Sequence, residues 1–236
     1  RGLLGGGGGE ADDPYLTLAA ELILPPLRSA LTSWEPRLPE PLLGFLDVWE
    51  KLLPGPARAH VLDSLVMPRL RSAVAAWEPR QETVPIHTWL HPWLPLLGHA
   101  LDELYPSIRH KLAVALQAWH PSDGSAHALL APWHRAFSGP DWDALMAKSI
   151  VPKLAGALAQ LEVNPACQDM APFEWVTAWA DVLAPAAMVS LLEVGFFPKW
   201  HAVLAYWLSA SPNYDEVTRW YLGWKGAMPA AVLDTE

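Results

Sequence analysis

The chain has 236 residues, of which 52% are hydrophobic, and 16 basic against 25 acidic residues give it a formal net charge of −9. This length suits one large domain or two small ones, and the acidic balance disfavours broad binding to nucleic-acid phosphates. No apolar run reaches the roughly 18 residues that a membrane span requires. A single cysteine, Cys167, excludes an internal disulfide and fits a reducing compartment.

The chain opens with a glycine-rich segment. Five consecutive glycines, Gly5 to Gly9, follow shortly after Arg1. Such a run is typical of a flexible linker. We therefore expect residues 1–14 to form a flexible leader and residues 15–236 to form one domain, together a fragment of a longer protein.

One sequence segment then recurs along the whole domain. LPPLRSALTSWEPR (24–37) is nearly repeated as MPRLRSAVAAWEPR (67–80), and looser copies are HKLAVALQAWHP (110–121), VPKLAGALAQL (151–161) and FPKWHAVLAYWL (197–208). The anchor residues Pro25, Pro68, His110, Pro152 and Pro198 lie 43, 42, 42 and 46 residues apart. A period of about 40–47 residues is typical of solenoids built from helix pairs.

A second pattern of large apolar residues lies between these copies. A tryptophan recurs as Trp49, Trp93, Trp133, Trp179 and Trp224, and four residues before each lies Phe45, Trp89, Leu129, Trp175 or Trp220. Both patterns have the spacing of one helix face, and no stretch alternates like a strand. The sequence thus predicts an all-α fold, a HEAT-like α-solenoid of about five helix pairs with a period of about 43 residues.

Prolines punctuate the predicted helices. The apolar stripe of the recurring segment continues through Pro68, Pro152 and Pro198, which predicts one bent helix or two short helices meeting at each proline. The residue before a proline resists helical angles, so we expect the helices to stop at Glu35-Pro36, Glu78-Pro79 and His120-Pro121. Pro92, beside Trp93, predicts a helix that begins at Pro92.

The fourteen tryptophans allow two interpretations. Exposed indoles could stack on bases or sugars. Twelve of the fourteen, however, fall on the repeated apolar positions, with only Trp142 and Trp200 as extras. A residue that returns in every unit of a repeat packs one unit on the next. The pattern therefore favours a tryptophan-rich core.

The sequence gives little evidence for a catalytic or metal site. His87 and His91 have helical metal-ligand spacing, but Thr88 stands where a zinc protease has glutamate, and Pro92 interrupts the helix. Paired acids occur at Asp12-Asp13, Asp102-Glu103, Asp141/Asp143 and Asp215-Glu216. A glycosidase needs two acids across a cleft, whereas these local pairs suit helix starts. We expect no catalytic, cofactor or metal site, and an all-α carbohydrate-active hydrolase is kept as an alternative.

A row of cations is the most specific polar feature. Arg69, Lys111, Lys153 and Lys199 occupy the same position in four successive units, where the first unit has Pro26. Equivalent positions of a solenoid align along one edge, so these side chains could form a positive ridge that binds an acidic partner helix or RNA. The alternative is a solvated edge whose side-chain stems cover apolar surface.

Several long motifs also resemble a known family. WLHPWLPLLG (89–98), IVPKL (150–154), VNPACQDMAPFEWVTAW (163–179) and FFPKWHAVLAYWLSASPNYDEVTRWYLGWK (196–225) are similar to the tuftelin-interacting proteins, also called septin-and-tuftelin-interacting proteins. The resemblance covers the chain from about Tyr15 and corresponds to the family's domain named after the GC-rich-sequence DNA-binding factor. One departure is Leu161, which stands where other copies have tryptophan.

The resemblance implies a nuclear pre-mRNA splicing factor that acts when the spliceosome releases the intron lariat and is disassembled. It implies spliceosomal partners, possible RNA contact, no catalytic residues, and a DEAH-box RNA helicase bound through a G-patch that this chain does not contain. On this view the chain is a non-catalytic scaffold that docks the protein on its complex. A direct RNA-binding module is a further alternative, whose affinity would fall steeply with salt.

Overall fold

The computed structural model describes residues 24–49 and 55–233, and the predicted leader of residues 1–14 lies outside them. All regular structure in the described ranges is helical, without a strand, which confirms the all-α prediction. Two compact units divide between Lys111 and Leu112. The grouping of the helices into five stacked pairs stays a prediction.

The first unit contains short helices interrupted by tighter and wider turns. They are α1 (Leu24–Ser33), α2 (Glu40–Trp49), α3 (Gly55–Val61), α4 (Met67–Ala76), α5 (Ile86–Leu90), α6 (Leu94–Leu97) and the start of α7 (Tyr105–Leu116), with a π turn at Leu62–Val66 and 3-10 turns at His91–Trp93 and Gly98–Leu104. α1 packs against the π turn, which places the first two copies of the recurring segment together.

The second unit is also built from short helices and a 3-10 turn. Its elements are α8 (Ser125–Leu130), a 3-10 turn (Ala131–Trp133), α9 (Gly139–Ser149), α10 (Val151–Gln160), α11 (Ala171–Thr177), α12 (Pro185–Gly195), α13 (Phe197–Ser209), α14 (Tyr214–Ala227) and α15 (Ala230–Leu233). α10 packs against both α11 and α12, and α15 packs against α12. Among the described residues, no helix is both long and apolar enough to cross a membrane.

The proline junctions in the second unit are two helices joined at one residue, as predicted. Ile150 (φ −109°, ψ −56°) separates α9 from α10 two residues before Pro152, and Phe196 (φ −114°, ψ −59°) separates α12 from α13 before Pro198. Both junction residues donate to a carbonyl four residues back and accept from the two amides that follow the proline. The bend therefore removes few hydrogen bonds beyond the one that proline lacks.

Pro68 is accommodated differently. A π turn at Leu62–Val66 precedes it, and the Met67 amide donates to the Leu62 carbonyl five residues back. The wider turn makes room for a proline, which has no amide hydrogen to continue the helical pattern. This junction is one continuous helical segment, the other form that the sequence predicted.

The prediction that a helix begins at Pro92 is wrong. α5 begins six residues earlier, at Ile86 after the extended Pro85, and Pro92 lies in the 3-10 turn that follows. A 3-10 turn has a different hydrogen-bond pattern from an α-helix. The helical path of the chain can therefore continue past Pro92. Pro132 is held in the same way in the turn at Ala131–Trp133.

The tryptophan core is confirmed. Nine of the thirteen tryptophans whose side chains are described are buried, and the other four are partly buried. Leu161, the departure from the tryptophan pattern, is also buried. Trp34 contacts Trp93 edge-on in the first unit, and Trp119 contacts Trp179 edge-on in the second, with ring centroids 5.4 Å apart in both pairs. The second unit repeats the aromatic contact of the first.

Candidate functional site

The head groups of the four predicted cations lie at the C-terminal ends of helices. α4 stops at Ala76, and Trp77 is extended (φ −66°, ψ 133°), directly before the predicted stop at Glu78-Pro79. α10 stops in the same way at Leu161 (φ −62°, ψ 124°), although no proline follows. The last carbonyls of a helix lack intrahelical partners and carry partial negative charge. A cation beside them would be stabilised whether or not a proline follows.

In the first unit, two of the cations meet such carbonyls. Arg69 of α4 donates through Nε to the Leu31 carbonyl, 3.1 Å away at the end of α1, and through Nη2 to the Thr32 carbonyl. Lys111 of α7 donates through Nζ to the carbonyls of Ala75 (2.8 Å) and Trp77 (2.6 Å) at the end of α4. Both side chains are partly buried. Each cation therefore caps the helix of the preceding copy.

The second unit repeats this arrangement. Lys153 of α10 donates to the carbonyls of Gln117 (2.8 Å) and Trp119 (2.5 Å), and its ammonium lies 5.9 Å from the centre of the Trp119 ring. Lys199 of α13 donates to three carbonyls, those of Leu158, Ala159 and Leu161, at 2.8, 2.7 and 2.9 Å. Charge-assisted hydrogen bonds of this kind are stronger than neutral ones.

This geometry gives the four side chains a role that neither sequence interpretation included. The head groups do not simply extend into solvent; they join successive copies of the recurring segment. Their positive charge is partly balanced by helix-end carbonyls, and Glu78 lies 3.6 Å from Lys111. Partner binding by Arg69, Lys111, Lys153 and Lys199 stays a prediction, and a partner would have to share these head groups with the caps.

A second connection between copies was missed by sequence reasoning. Arg37 donates to both carboxylate oxygens of Glu82, at 2.8 and 2.5 Å, and its guanidinium lies 5.8 Å from the centre of the Trp89 ring. The hydrogen bond from Arg37 lowers the pKa of Glu82. The two residues are 45 apart, close to the repeat period, and that spacing was the available signal. His127 and Asp181 form a similar link in the second unit, at 2.9 Å.

Three of the paired acids lie at helix starts, and a fourth forms an ion pair. Asp141 is in the first turn of α9, where its amide and carboxylate bond the Ser138 hydroxyl. Asp215 and Glu216 are in the first turn of α14, and both hydrogen-bond Asn213. Glu103 pairs with Arg71. Asp141, Asp215 and Glu216 thus act at helix starts, as the sequence predicted, whereas Asp12 and Asp13 lie outside the described residues.

The two candidate metal ligands lie next to each other. The rings of His87 and His91 have centroids 5.8 Å apart, and burial lowers the pKa of both imidazoles. Within the described ranges, no third histidine, cysteine or acid joins them in a group that could hold a metal ion. Burial of the two imidazoles thus favours their neutral form.

The fold and these contacts define an all-helical protein with a tryptophan-rich core, in which basic side chains bond the helix ends of preceding copies of the recurring segment. A family model described as GC-rich sequence DNA-binding factor-like protein matches residues 6–204, and the chain belongs to this family. The match begins within the predicted leader.

Comparison with curated proteins supports the same family. The chain is 48% identical over 221 residues to tuftelin-interacting protein 11 of Danio rerio, 48% over 223 residues to that of Xenopus laevis, and 47% over 228 residues to that of Sus scrofa. These matches cover 94 to 97% of the chain but only 27% of each relative. The resemblance noted in the sequence is therefore confirmed, and the chain spans about a quarter of the length of these relatives.

Proposed function

We propose that this chain is a non-catalytic scaffold domain of a nuclear pre-mRNA splicing factor. The observation that carries the proposal is its similarity to tuftelin-interacting protein 11 over nearly its whole length. In this proposal, the full-length protein acts when the spliceosome releases the intron lariat and is disassembled. A G-patch outside this chain would bind and stimulate a DEAH-box helicase, while this domain holds the protein on the complex.

The fold supports a docking role. We propose one HEAT-like array of about five helix pairs, because proline junctions, helix-end caps and edge-on tryptophan pairs recur at matching registers. Neighbouring copies joined by both buried rings and charged caps form a stable platform, and in such arrays the exposed polar side chains select partners. Three of its paired acids bond residues at helix starts, and the proposal includes no chemical step.

Direct RNA or DNA binding is not favoured by the charges. The chain has a net charge of −9, and four of its cations already bond helix-end carbonyls. Binding to phosphates depends on lysine and arginine side chains that are free to neutralise them and so release the counterions of the nucleic acid. The family's description mentions DNA binding, but it describes the family model and does not identify a ligand of this chain.

A deletion experiment tests the proposal. Full-length protein, a variant without residues 24–233 and a variant without the G-patch would each be added to nuclear extract depleted of the endogenous protein. We expect the first deletion to lose association with lariat-stage complexes, and the second to stay associated while lariat introns accumulate. Normal association of the variant without residues 24–233 would contradict the proposal. A steep loss of association of the isolated chain with salt would favour RNA docking instead.

A further inference from the structure

A cavity of about 260 Å³ opens at the surface of the first unit, between α2, α6 and the segment in which α3 continues into the π turn. Its lining includes four leucines, one acid and one base, namely Leu43, Leu46, Leu62, Leu96, Asp47 and Arg58. All of these residues belong to the first unit. Apolar walls with a few polar groups are typical of binding sites.

The recurring pattern shows how this cavity arises. GPARAHVLDSLVMP (55–68) aligns without a gap with GPDWDALMAKSIVP (139–152), which pairs Arg58 with Trp142. Met188 holds the same position in the copy that follows. Trp142 and Met188 are only 3% and 1% exposed, whereas Arg58 is partly exposed. The two copies of the second unit therefore place a large buried side chain where the first unit has an arginine.

One wall of the cavity corresponds to the residue that holds Trp142 in place. Leu96 lies three residues after Trp93, as Val182 does after Trp179. The indole nitrogen of Trp142 donates to the Val182 carbonyl at 2.9 Å. The cavity of the first unit thus lies where the second unit has the ring of Trp142.

The first unit also lacks a polar contact found beside this position. In the second unit, His127 bonds Asp181 at 2.9 Å. Counted from the neighbouring tryptophans, the corresponding residues of the first unit are Leu43 and Pro95, which line the cavity and carry no charge. The cavity therefore differs from its counterpart both in the side chain that would fill it and in the contact beside it.

The volume and the charges of the cavity indicate its ligand. A cavity of about 260 Å³ is smaller than the roughly 300 Å³ at which pockets for drug-sized molecules begin, so it suits a single side chain. The guanidinium of Arg58 can stack on an aromatic face. The carboxylate of Asp47 can accept a hydrogen bond from an indole nitrogen, as the Val182 carbonyl does from Trp142. Together these features favour a tryptophan side chain.

Among the side chains that the structure describes, the chain has no exposed tryptophan to offer this cavity. All fourteen tryptophans lie within residues 24–233, and each of the thirteen with described side chains is buried or partly buried. Residues 1–23, 50–54 and 234–236 contain one aromatic residue, Tyr15. A second copy of the chain would have to unpack one of its own tryptophans. The ligand therefore comes from outside this chain.

The two charges at the cavity favour a partner that binds reversibly. Where the cavity has Asp47 and Arg58, the second unit has Ala131 and Trp142. Charged head groups stay hydrated until a partner covers the surface. A polar rim around an apolar centre is typical of interfaces between separate proteins.

Resting on the proposed docking function, we propose that this cavity binds a tryptophan side chain on a peptide segment of a partner protein. The indole packs against Leu62 and Leu96. Arg58 stacks on its face, and the Asp47 carboxylate accepts its N–H. The partner is thus a protein that inserts one exposed tryptophan into the first unit.

The probe for this site is N-acetyl-5-fluorotryptophanamide, whose fluorine NMR signal would be followed as the 236-residue chain is added. We expect saturable binding that an equal concentration of N-acetylleucinamide does not displace. Arg58→Trp copies Trp142, fills the cavity and weakens binding by about tenfold or more. Arg58→Met copies Met188, removes the stacking guanidinium and weakens binding by about threefold.

Arg71→Trp is the matched control. It places a tryptophan on α4 of the same unit, at a side chain that is 57% exposed and outside the lining of the cavity, and it should leave affinity unchanged. Circular dichroism verifies folding, and Arg58→Met alone decides the test if Arg58→Trp does not fold. Absence of saturable binding, equal displacement by the leucine amide, or unchanged binding of the folded Arg58 variants overturns the proposal.

The same measurements with the full-length protein distinguish the sources of the tryptophan. We expect the full-length protein to bind the probe as the chain does. Binding to the chain alone indicates that another part of the polypeptide fills the cavity, and self-association that Arg58→Trp abolishes indicates a second copy. Either result rejects a partner protein as the source.

A final comparison separates this inference from the scaffold function. Full-length Arg58→Trp should associate more weakly with lariat-stage complexes than full-length Arg71→Trp. If the two associate equally while the variant without residues 24–233 does not associate, the cavity has no partner there and only this inference fails.

Discussion

The ammonium nitrogen of Lys199 lies 2.9 Å from the carbonyl oxygen of Leu161, the residue at which α10 has just ended. No proline follows Leu161 directly, yet its backbone angles match those of Trp77, which precedes Glu78-Pro79. A lysine bonds the final carbonyls at both of these helix ends, Lys111 at Trp77 and Lys199 at Leu161, whether or not a proline follows. Lys199 satisfies three carbonyls at once and ties α13 to the preceding copy.

Replacing Lys199 should destabilise the second unit. Lys199→Met keeps the apolar stem but removes the charged donor, and hydrogen bonds to charged groups contribute about 2 kcal/mol. We expect the free energy of unfolding, measured by urea titration and circular dichroism, to fall by about that amount. Lys148→Met, at an exposed lysine in the last turn of α9, is the control and should change it by less than about 0.5 kcal/mol. Equal effects would show that the caps contribute no specific stability.

The sequence predicted the repeat and the proline junctions because both arise from local rules. Pro152 and Pro198 constrain their own neighbourhoods, and an apolar stripe with helical spacing identifies the buried face. The register also placed Arg69, Lys111, Lys153 and Lys199 in equivalent positions. It could not show where their head groups point, because their partners lie 34 to 41 residues away in the sequence. Pro92 was misjudged because a 3-10 turn, which sequence spacing does not reveal, removed its conflict with the helix.

The Arg37–Glu82 pair should make stability depend on pH. The hydrogen bond from Arg37 lowers the pKa of Glu82 below its ordinary value of 4.5, so the pair stabilises the fold above that value. The contribution is lost as pH falls through the lower pKa of the folded state. We expect Arg37→Met to cost about 1 kcal/mol at pH 7, and the difference from the unmodified chain to shrink steadily as the pH is lowered below about 4.5.

Arg71→Met is the control for that experiment. Arg71 pairs with Glu103 at 2.6 Å, but both side chains are more exposed, at 57% and 46%, than Arg37 and Glu82, at 31% and 21%. Solvent screens such a pair, so the loss at pH 7 should be below about 0.5 kcal/mol. Urea midpoints measured at several pH values check both variants. If the cost of Arg37→Met stayed constant at every pH measured, the claim that Arg37 lowers the pKa of Glu82 would be contradicted.

Gly195 allows the close approach of α12 and α10. A Cβ atom built on Gly195 would lie 2.8 Å from the Cβ of Leu158, which is fully buried. We expect Gly195→Ala to destabilise the chain by about 1–3 kcal/mol, because overpacking forces the helices apart. Gly156→Ala, in α10 where the new methyl meets no atom within 4 Å, should instead stabilise by about 0.5–1 kcal/mol. Thermal unfolding of the two variants in parallel tests this, and a stabilising Gly195→Ala would refute the close contact.

The indole nitrogen of Trp142 provides a test of polar contacts inside the tryptophan core. Its Nε1–H donates to the buried Val182 carbonyl at 2.9 Å, whereas Nε1 of Trp200 is buried with no hydrogen-bond partner among the described residues. Changing either residue to phenylalanine removes a similar volume, but only Trp142→Phe leaves a buried carbonyl without its donor. Such a group costs about 1–3 kcal/mol.

Trp142→Phe should therefore lower the free energy of unfolding by about 1–2 kcal/mol more than Trp200→Phe does. Urea titration of both variants measures the difference, and fluorescence of the remaining indoles verifies that the core stays packed. Burial alone predicts similar losses, because Trp142 and Trp200 are only 3% and 8% exposed. An equal loss in the two variants would mean that packing, and not the bond to Val182, determines the contribution of Trp142.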